Sequence, residues 1–205
     1  MGKNPISESD DELLLALRSG DERAFTALYR RKQSAVYRFA LHMTGSPSTA
    51  EDVTQEVFLA LIRQECGYDP ERGSLAGYLF GIARKLVLRH LEKSRTMAEQ
   101  DLEGQDGTFP ELAVTADPMV DLMRREGIDE LRRAVLALPK RYREVVILCD
   151  LEEVDYAEAA NALECPIGTV RSRLHRARAL LLERLRHKIQ PDSQVRALKP
   201  ARSLI

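Results

Sequence analysis

The stretch DYAEAANALECPIGTVRSRLHRARALLLERLR, residues 155–186, decides the fold. Asp155 with Glu158 makes a capping-box pattern, with Asp in the Ser/Thr role, ahead of a short helix over Tyr156–Leu163. That helix holds Ala157, Ala159, Ala160 and Ala162, and such small side chains let another helix cross closely. Glu164-Cys165-Pro166 makes a turn, and Pro166 stands where a helix can begin, because its missing N–H is unpaired at a helix start anyway. In the second helix Val170, Leu174, Ala177 and Leu181 fall on an apolar stripe, which assigns them to the core. Arg171, Arg173, Arg176 and Arg178 project elsewhere. An Arg-rich helix is often only a solvated face, but such a face carries Glu partners at i+4. Residues 166–190 hold seven Lys/Arg against one acidic residue, so this face is not self-neutralised. Two short helices about a tight turn, the second basic, form the helix-turn-helix pattern of DNA-binding proteins. The second helix is expected to enter the major groove by its N-terminal half. An Arg can donate two hydrogen bonds to guanine O6 and N7, and Ser172 and His175 can reach other base edges. Thr169 and the helix N-terminus suit a phosphate.

The charge pattern of the whole chain supports a segregated design. Its 205 residues carry 31 Lys+Arg and 32 Asp+Glu, a formal charge of -1, which taken alone argues against a dedicated nucleic-acid binder. Residues 1–129 carry 16 basic and 22 acidic side chains, and residues 130–205 carry 15 and 10. The near-zero total is a sum of opposed fields, with the basic excess beside the helix-turn-helix. Residues 96–123 hold seven acidic side chains, no Lys or Arg, two Gly and two Pro, and are predicted to be a flexible acidic linker. The linker divides the chain into a domain over 8–95 and a domain over 124–188, with residues 189–205 a disordered tail.

The N-terminal half is also predicted to be helical. Ser9 with Glu12 is a capping box before LLLALR, and Ser19-Gly20 breaks that helix. The run DERAFTALYRRKQSAVYRFALHM places Phe25, Leu28, Tyr29, Val36, Phe39, Ala40 and Met43 in a core. Ser48 with Glu51 reads as a second capping box, opening a helix in which Val53, Val57 and Leu61 recur at i, i+4, i+8. The next helix, LAGYLFGIARKLVLRHLEK, sets Leu75, Leu79, Ile82 and Leu86 on one face. No β-rich alternating segment appears, so the fold class is all-α, two helical domains joined by the linker. No uncharged stretch exceeds twelve residues, short of the roughly 18 apolar residues of a spanning helix, so no membrane insertion is expected. The polar, acidic N-terminus is not a secretory signal pattern. Cys66, Cys149 and Cys165 form no CxxC pair, and with four His no metal site is expected.

Both halves together resemble one family, the extracytoplasmic-function sigma factors, small two-domain bacterial RNA polymerase sigma factors. CPIGTVRSRLHRARALL resembles the region 4 helix-turn-helix. The run before it resembles the preceding helices, including the leucine-proline-x-x-x-arginine-x-valine type of motif at Leu138, Pro139 and Tyr142 to Val146. Residues 20–63 resemble regions 2.1 and 2.2, and DPERGSLAGYLFGIARKLVLRHL resembles regions 2.3 and 2.4. The resemblance implies a cytoplasmic alternative sigma factor, not an enzyme, without cofactor. Such a protein binds core RNA polymerase at the largest-subunit clamp helices and the flap, contacts double-stranded and melted promoter DNA, and is held by an anti-sigma factor. It implies polymerase binding by Asp52, Gln55, Glu56 and Phe58, the first three sharing one helix face. It implies reading and opening of the minus-ten element by Tyr78, Phe80, Arg84, Lys85, Arg89, His90 and Lys93, where aromatics stack on unpaired bases and cations track phosphates. Region 4, through Thr169, Arg171, Ser172, Arg173, His175, Arg176 and Arg178, would read the minus-thirty-five element. The chain departs from the family at Tyr78, where Trp is frequent, at Lys85, where Asn is frequent, at Glu153, where Gly is usual, and at Ala159, where a bulky aliphatic is usual.

Two other classes fit parts of the chain. A helix-turn-helix regulator that is not a polymerase subunit would bind DNA alone, but residues 10–95 show no receiver-like βα pattern. A Cys-dependent redox protein needs a thiolate beside a base, and no constellation here supplies one, although Cys165 precedes a basic helix.

Overall fold

Ser9 starts the first helix of the structure, a computed structural model that describes residues 8–63, 67–98 and 118–189. Both halves of the expected capping box form: Ser9 Oγ accepts from the Glu12 N–H at 3.2 Å, and Glu12 Oε2 accepts from the Ser9 N–H at 2.8 Å. Helix α1 (Asp10–Arg18) is followed by α2 (Glu22–Thr44), capped by the Asp21 side chain, which accepts from the Arg23 N–H. Asp10 binds α1 to α2 through Arg31 at 3.1 Å and through Lys32. Gly45 ends α2 in the left-handed region, φ +74, where a residue without Cβ fits at no cost.

Helix α3 spans Pro47–Arg63. Its cap is Ser46, whose Oγ accepts from the Thr49 N–H at 3.3 Å, and not the expected Ser48–Glu51 pair. Pro47, with φ already set for a helix and no N–H to satisfy, takes the first helical position, so the helix starts two residues earlier than expected. The i, i+4, i+8 expectation holds, with Val53, Val57 and Leu61 all buried.

Helix α4 spans Leu75–Ala98. Its buried stripe is Leu75, Leu79, Phe80, Ala83 and Val87, one step round from the expected face; Ile82 and Leu86 are only partly buried. Phe80 takes the central place, its ring 5.6 Å from that of Phe39. Together α1 to α4 form a four-helix unit around Leu28, Val36, Phe39 and Met43. In α2 the expected core residues Phe25 and Tyr29 are half-buried, at one edge of that unit.

The C-terminal half begins with α5 (Pro118–Leu136) and α6 (Lys140–Val146). Helix α6 runs on into a wider π-helical turn over Ile147–Leu151. Helices α7 (Tyr156–Ala162) and α8 (Ile167–Ile189) follow, and α7 is capped by Asp155 Oδ1, which accepts from the Ala157 and Glu158 N–H groups. Glu153 stands at φ +55, a left-handed conformation costly for any residue with a Cβ. The family resemblance places a Gly there, and this conformation is the physical reason. Helix α4 enters the stretch expected to be a linker by three residues and α5 by six; the rest of that stretch, the expected tail after Ile189 and Cys66 lie outside the described residues.

The two halves pack against each other. Leu136 of α5 lies so close to Gly45 that a Cβ there would stand 3.1 Å from Leu136 Cδ1. Helix α7 crosses α4 at Gly77 and Gly81, where added Cβ atoms would stand 3.7 Å from Glu158 Cβ and 3.9 Å from Ala162 Cα. Among the described residues no strand occurs, and no helix is long and apolar enough to cross a membrane.

Candidate nucleic-acid interface

Helix α8 is held by burial of Val170, Leu174, Ala177 and Leu181, and this sets the rest of its surface outward. Arg171, Ser172, His175, Arg176 and Arg178 are exposed, and Thr169 and Arg173 are half-buried. Neighbouring side chains pre-position several of these groups. The Arg171 guanidinium lies 5.9 Å from the centre of the Tyr156 ring. A hydrogen bond from Arg176 holds the Tyr142 phenol below its usual pKa. Ser172 Oγ donates to the Thr169 carbonyl at 3.0 Å. Arg178 makes a two-bond pair with Asp150, Nη2 to Oδ1 at 2.6 Å and Nε to Oδ2 at 3.1 Å, which raises its pKa further. That pair braces α8 against the π-helical turn, a role the sequence did not reveal, since 28 residues separate the partners.

If α8 enters a DNA groove as expected, its positions divide into readers and anchors. Arg171→Ala or Arg176→Ala is expected to cost roughly 1–3 kcal/mol at a particular base pair. Arg173→Ala is expected to weaken binding evenly and to lower the salt slope by about one unit. Arg178→Ala should do the same and also loosen α8, because Asp150 loses its partner. Binding measured across a promoter-sequence library at several salt concentrations checks this division; four identical sequence profiles would contradict it.

The second group of expected site residues lies on α4, where two corrections arise. Phe80 is 4% exposed and sits in the core against Phe39, so it cannot stack on a base. Tyr78 is half-buried with its ring 5.3 Å from that of Tyr68. These two tyrosines, with Lys85, Arg89, Glu158 and Asn161, line part of a groove of about 720 Å³ between α3, α4 and α7. The cations here are paired: Arg84 Nε with Glu144 Oε1 at 2.9 Å, Lys85 with Glu164 at 2.7 Å, and Arg89 with Glu56 at 2.6 Å. His90 Nε2 is 3.8 Å from Glu56, and Lys93 is exposed.

On α3 the expected polymerase face is formed by exposed Asp52 and Gln55 and half-buried Glu56. Phe58 does not belong to it. At 2% exposure it closes an aromatic cluster, its ring 4.8 Å from Tyr29 and 6.4 Å from Phe25. Leu59 and Ile62, 45% and 44% exposed, extend the face instead. Their spacing was readable: 52, 55, 56 and 59 form an i, i+3, i+4, i+7 stripe, and 55, 59 and 62 continue it at i, i+4, i+7. Cys149 is half-buried, and burial pushes its thiol up to about 11, the opposite of an activated thiolate.

Comparison with known proteins agrees with this arrangement. Residues 28–96 match the family profile described as Sigma-70 region 2, and residues 128–181 match Sigma-70, region 4. The chain is 33% identical over 178 residues to the ECF RNA polymerase sigma factor SigC of Mycobacterium tuberculosis, covering 85% of this chain and 92% of that protein. It is 33% identical over 173 residues to SigE of Mycolicibacterium smegmatis, covering 82% of this chain and 65% of the relative's length. Its fold is similar to that of CnrH, solved in complex with the cytosolic domain of CnrY, with TM-score 0.66, 24% identity and coverage of 88% and 99% of the two chains. It is also similar to the sigma factor RpoE from Bartonella quintana, solved with the anti-sigma factor NepR, with TM-score 0.60, 26% identity and coverage of 79% and 96%. With region 2 in α2 to α4 and region 4 in α5 to α8, in that order on one chain, the protein belongs to the ECF RNA polymerase sigma factors.

Proposed function

We propose that this chain is an alternative sigma factor: it binds core RNA polymerase, brings it to particular promoters and assists strand separation. The observation that carries the reading is the exposed cationic face of α8, held by an alanine-rich α7, in one chain with an N-terminal four-helix unit, containing region 2, that presents Asp52, Gln55 and Leu59 on α3. Residues 124–188 contact the minus-thirty-five element through α8. Residues 8–95 dock on the polymerase clamp helices through α3, and meet the minus-ten element through α4. Tyr78 is the aromatic available for an unpaired base, and Lys85, Arg89, His90 and Lys93 supply charge to the phosphates. Extruding a base costs a few kcal/mol, which stacking and ionic contacts offset. The chain itself performs no bond chemistry; nucleotide addition belongs to the polymerase, and the protein works where the polymerase is, in the cytoplasm. An anti-sigma factor is the expected regulatory partner, as in the RpoE–NepR complex.

Run-off transcription with purified core polymerase on a genomic fragment library tests the proposal. The expected result is a small set of promoter-specific transcripts that require this chain. DNA binding with no polymerase-dependent transcript would assign the protein to the regulators that act without being a polymerase subunit.

A further inference from the structure

The two arginines expected to read bases are held in different ways. On a helix of about 3.6 residues per turn, Arg171 and Arg176 fall at the two edges of the outward face of α8, with His175 and Ser172 between them. Arg171 has only a distant aromatic neighbour. Its guanidinium is 5.9 Å from the centre of the Tyr156 ring, near the limit of about 6 Å for such a contact, and Tyr156 is itself exposed. Arg176 has a fixed partner, the Tyr142 hydroxyl of α6, to which it donates a hydrogen bond. Tyr142 is 8% exposed and shares the buried side of α6 with Val145 and Val146, so its ring is locked by packing. The Arg141 guanidinium lies over the same ring, 4.8 Å from its centre. The bond from Arg176, helped by the charge of Arg141, holds the phenol below its usual pKa, as expected of an oxygen that accepts from a cation. An arginine carries five N–H donors in a rigid plane. A guanine edge takes two of them, so a donor given to Tyr142 leaves the fork free for a base.

We propose that Tyr142 is a specificity-determining positioning residue: its hydroxyl, fixed by the core of α6, holds the Arg176 fork in the orientation that meets the O6 and N7 edge of one guanine. The proposal rests on the assignment of α8 to promoter duplex. Tyr142 touches no base and acts through Arg176 alone. A long exposed side chain without such a tether loses its rotamer freedom when it binds. A tethered fork has lost that freedom beforehand, so the correct base gains affinity. The same tether keeps the guanidinium from following a different base edge or swinging to a phosphate, so the wrong bases gain nothing. Arg171, with no comparable partner, lacks this device, and the two readers should differ in how sharply they discriminate.

Removing the hydroxyl while keeping the ring tests this. Full-length parent, Tyr142→Phe, Arg176→Ala and the double variant each select from a pool of DNA duplexes with a randomised stretch. The selection is run once with the free chain and once with the chain bound to core polymerase, and the recovered sequences are counted. The base pair whose preference disappears in Arg176→Ala is the one that Arg176 reads. Tyr142→Phe is expected to lower the preference for guanine at that pair about three- to tenfold, the ordering cost of one long side chain expressed as a ratio. It should leave the pair read by Arg171 as in the parent, and it should change nothing further in the Arg176→Ala background. A general loosening of the C-terminal half would instead lower binding at every position alike. Unchanged preference in Tyr142→Phe, an equal loss at all positions, or a further loss in the double variant would each overturn the positioning role. If the free chains show the expected pattern but the polymerase-bound parent selects no promoter and yields no transcript, the role of Tyr142 stands and the sigma-factor reading falls. A parent chain that selects no sequence in either form overturns both.

Discussion

Phe39→Ala is expected to destabilise the N-terminal half by about 3–5 kcal/mol, the cost of deleting a fully enclosed aromatic ring and leaving a cavity. Phe39 is 0% exposed and lies in the core of the N-terminal four-helix unit with Val36, Met43 and Phe80. Close-packed neighbours cannot collapse fully into the space, so the lost transfer free energy and the lost packing add. Against a total stability of about 5–15 kcal/mol, that loss leaves a large part of the protein unfolded in mild denaturant. Urea denaturation followed by circular dichroism measures it. Leu15→Ala serves as the contrast: Leu15 is 61% exposed, and its truncation should change stability by no more than about 0.5 kcal/mol. Equal midpoints for the two variants would contradict the placement of Phe39 at the centre of this core.

Arg143→Ala is expected to cost roughly 3 kcal/mol, by a different mechanism. The Arg143 guanidinium is largely buried, and that burial lowers its pKa. It donates to the carbonyls of Leu136, Leu138 and Met43, which lie at the end of α5, in the turn to α6 and at the end of α2. The alanine variant leaves three acceptors without their charged donor, and buried unpaired carbonyls are costly. Arg143→Lys should recover only part of the loss, because an ammonium is a point charge that cannot fork toward carbonyls from three directions. Since Met43 belongs to region 2, the alanine variant should also weaken the contact between the halves. Thermal denaturation compares the three proteins; a lysine variant as stable as the parent would show that charge alone, without the planar fork, suffices.

Much of the fold was legible because it follows from local rules. The capping box at Ser9 and Glu12, the stripe Val53, Val57, Leu61 and the stripe Val170, Leu174, Ala177, Leu181 are periodic patterns within a single helix, and all appear as expected. The cationic face of α8 was legible for the same reason, since burying one stripe sets the other outward. The α3 start was misplaced because Ser46-Pro47 competes with Ser48, and a proline at the first helical position wins that local contest. Phe58 and Phe80 enter the expected site sets through their positions in the family motifs, and a motif position does not say which way a ring points. Phe58 is turned inward by Tyr29, and Phe80 by Phe39.

By itself the sequence determined the all-α class, the helix-turn-helix, the order of the two halves and the segregation of charge, because each is a property of residues close along the chain. Only the tertiary structure decided which cations are already occupied. Arg84 meets Glu144 across 60 residues, Arg38 meets Glu152 across 114, and Arg178 meets Asp150 across 28. The first two pairs depend on how the two helical units pack, which is set by the close approach of α7 to Gly77 and Gly81 and of Leu136 to Gly45, and the third on how α8 packs on the π-helical turn within one unit. No periodicity within either half encodes that geometry. The basic residues of α4 therefore read in sequence as a surface awaiting DNA, whereas in the folded chain Arg84 and Lys85 are matched to carboxylates of its other half and Arg89 to Glu56 of its own.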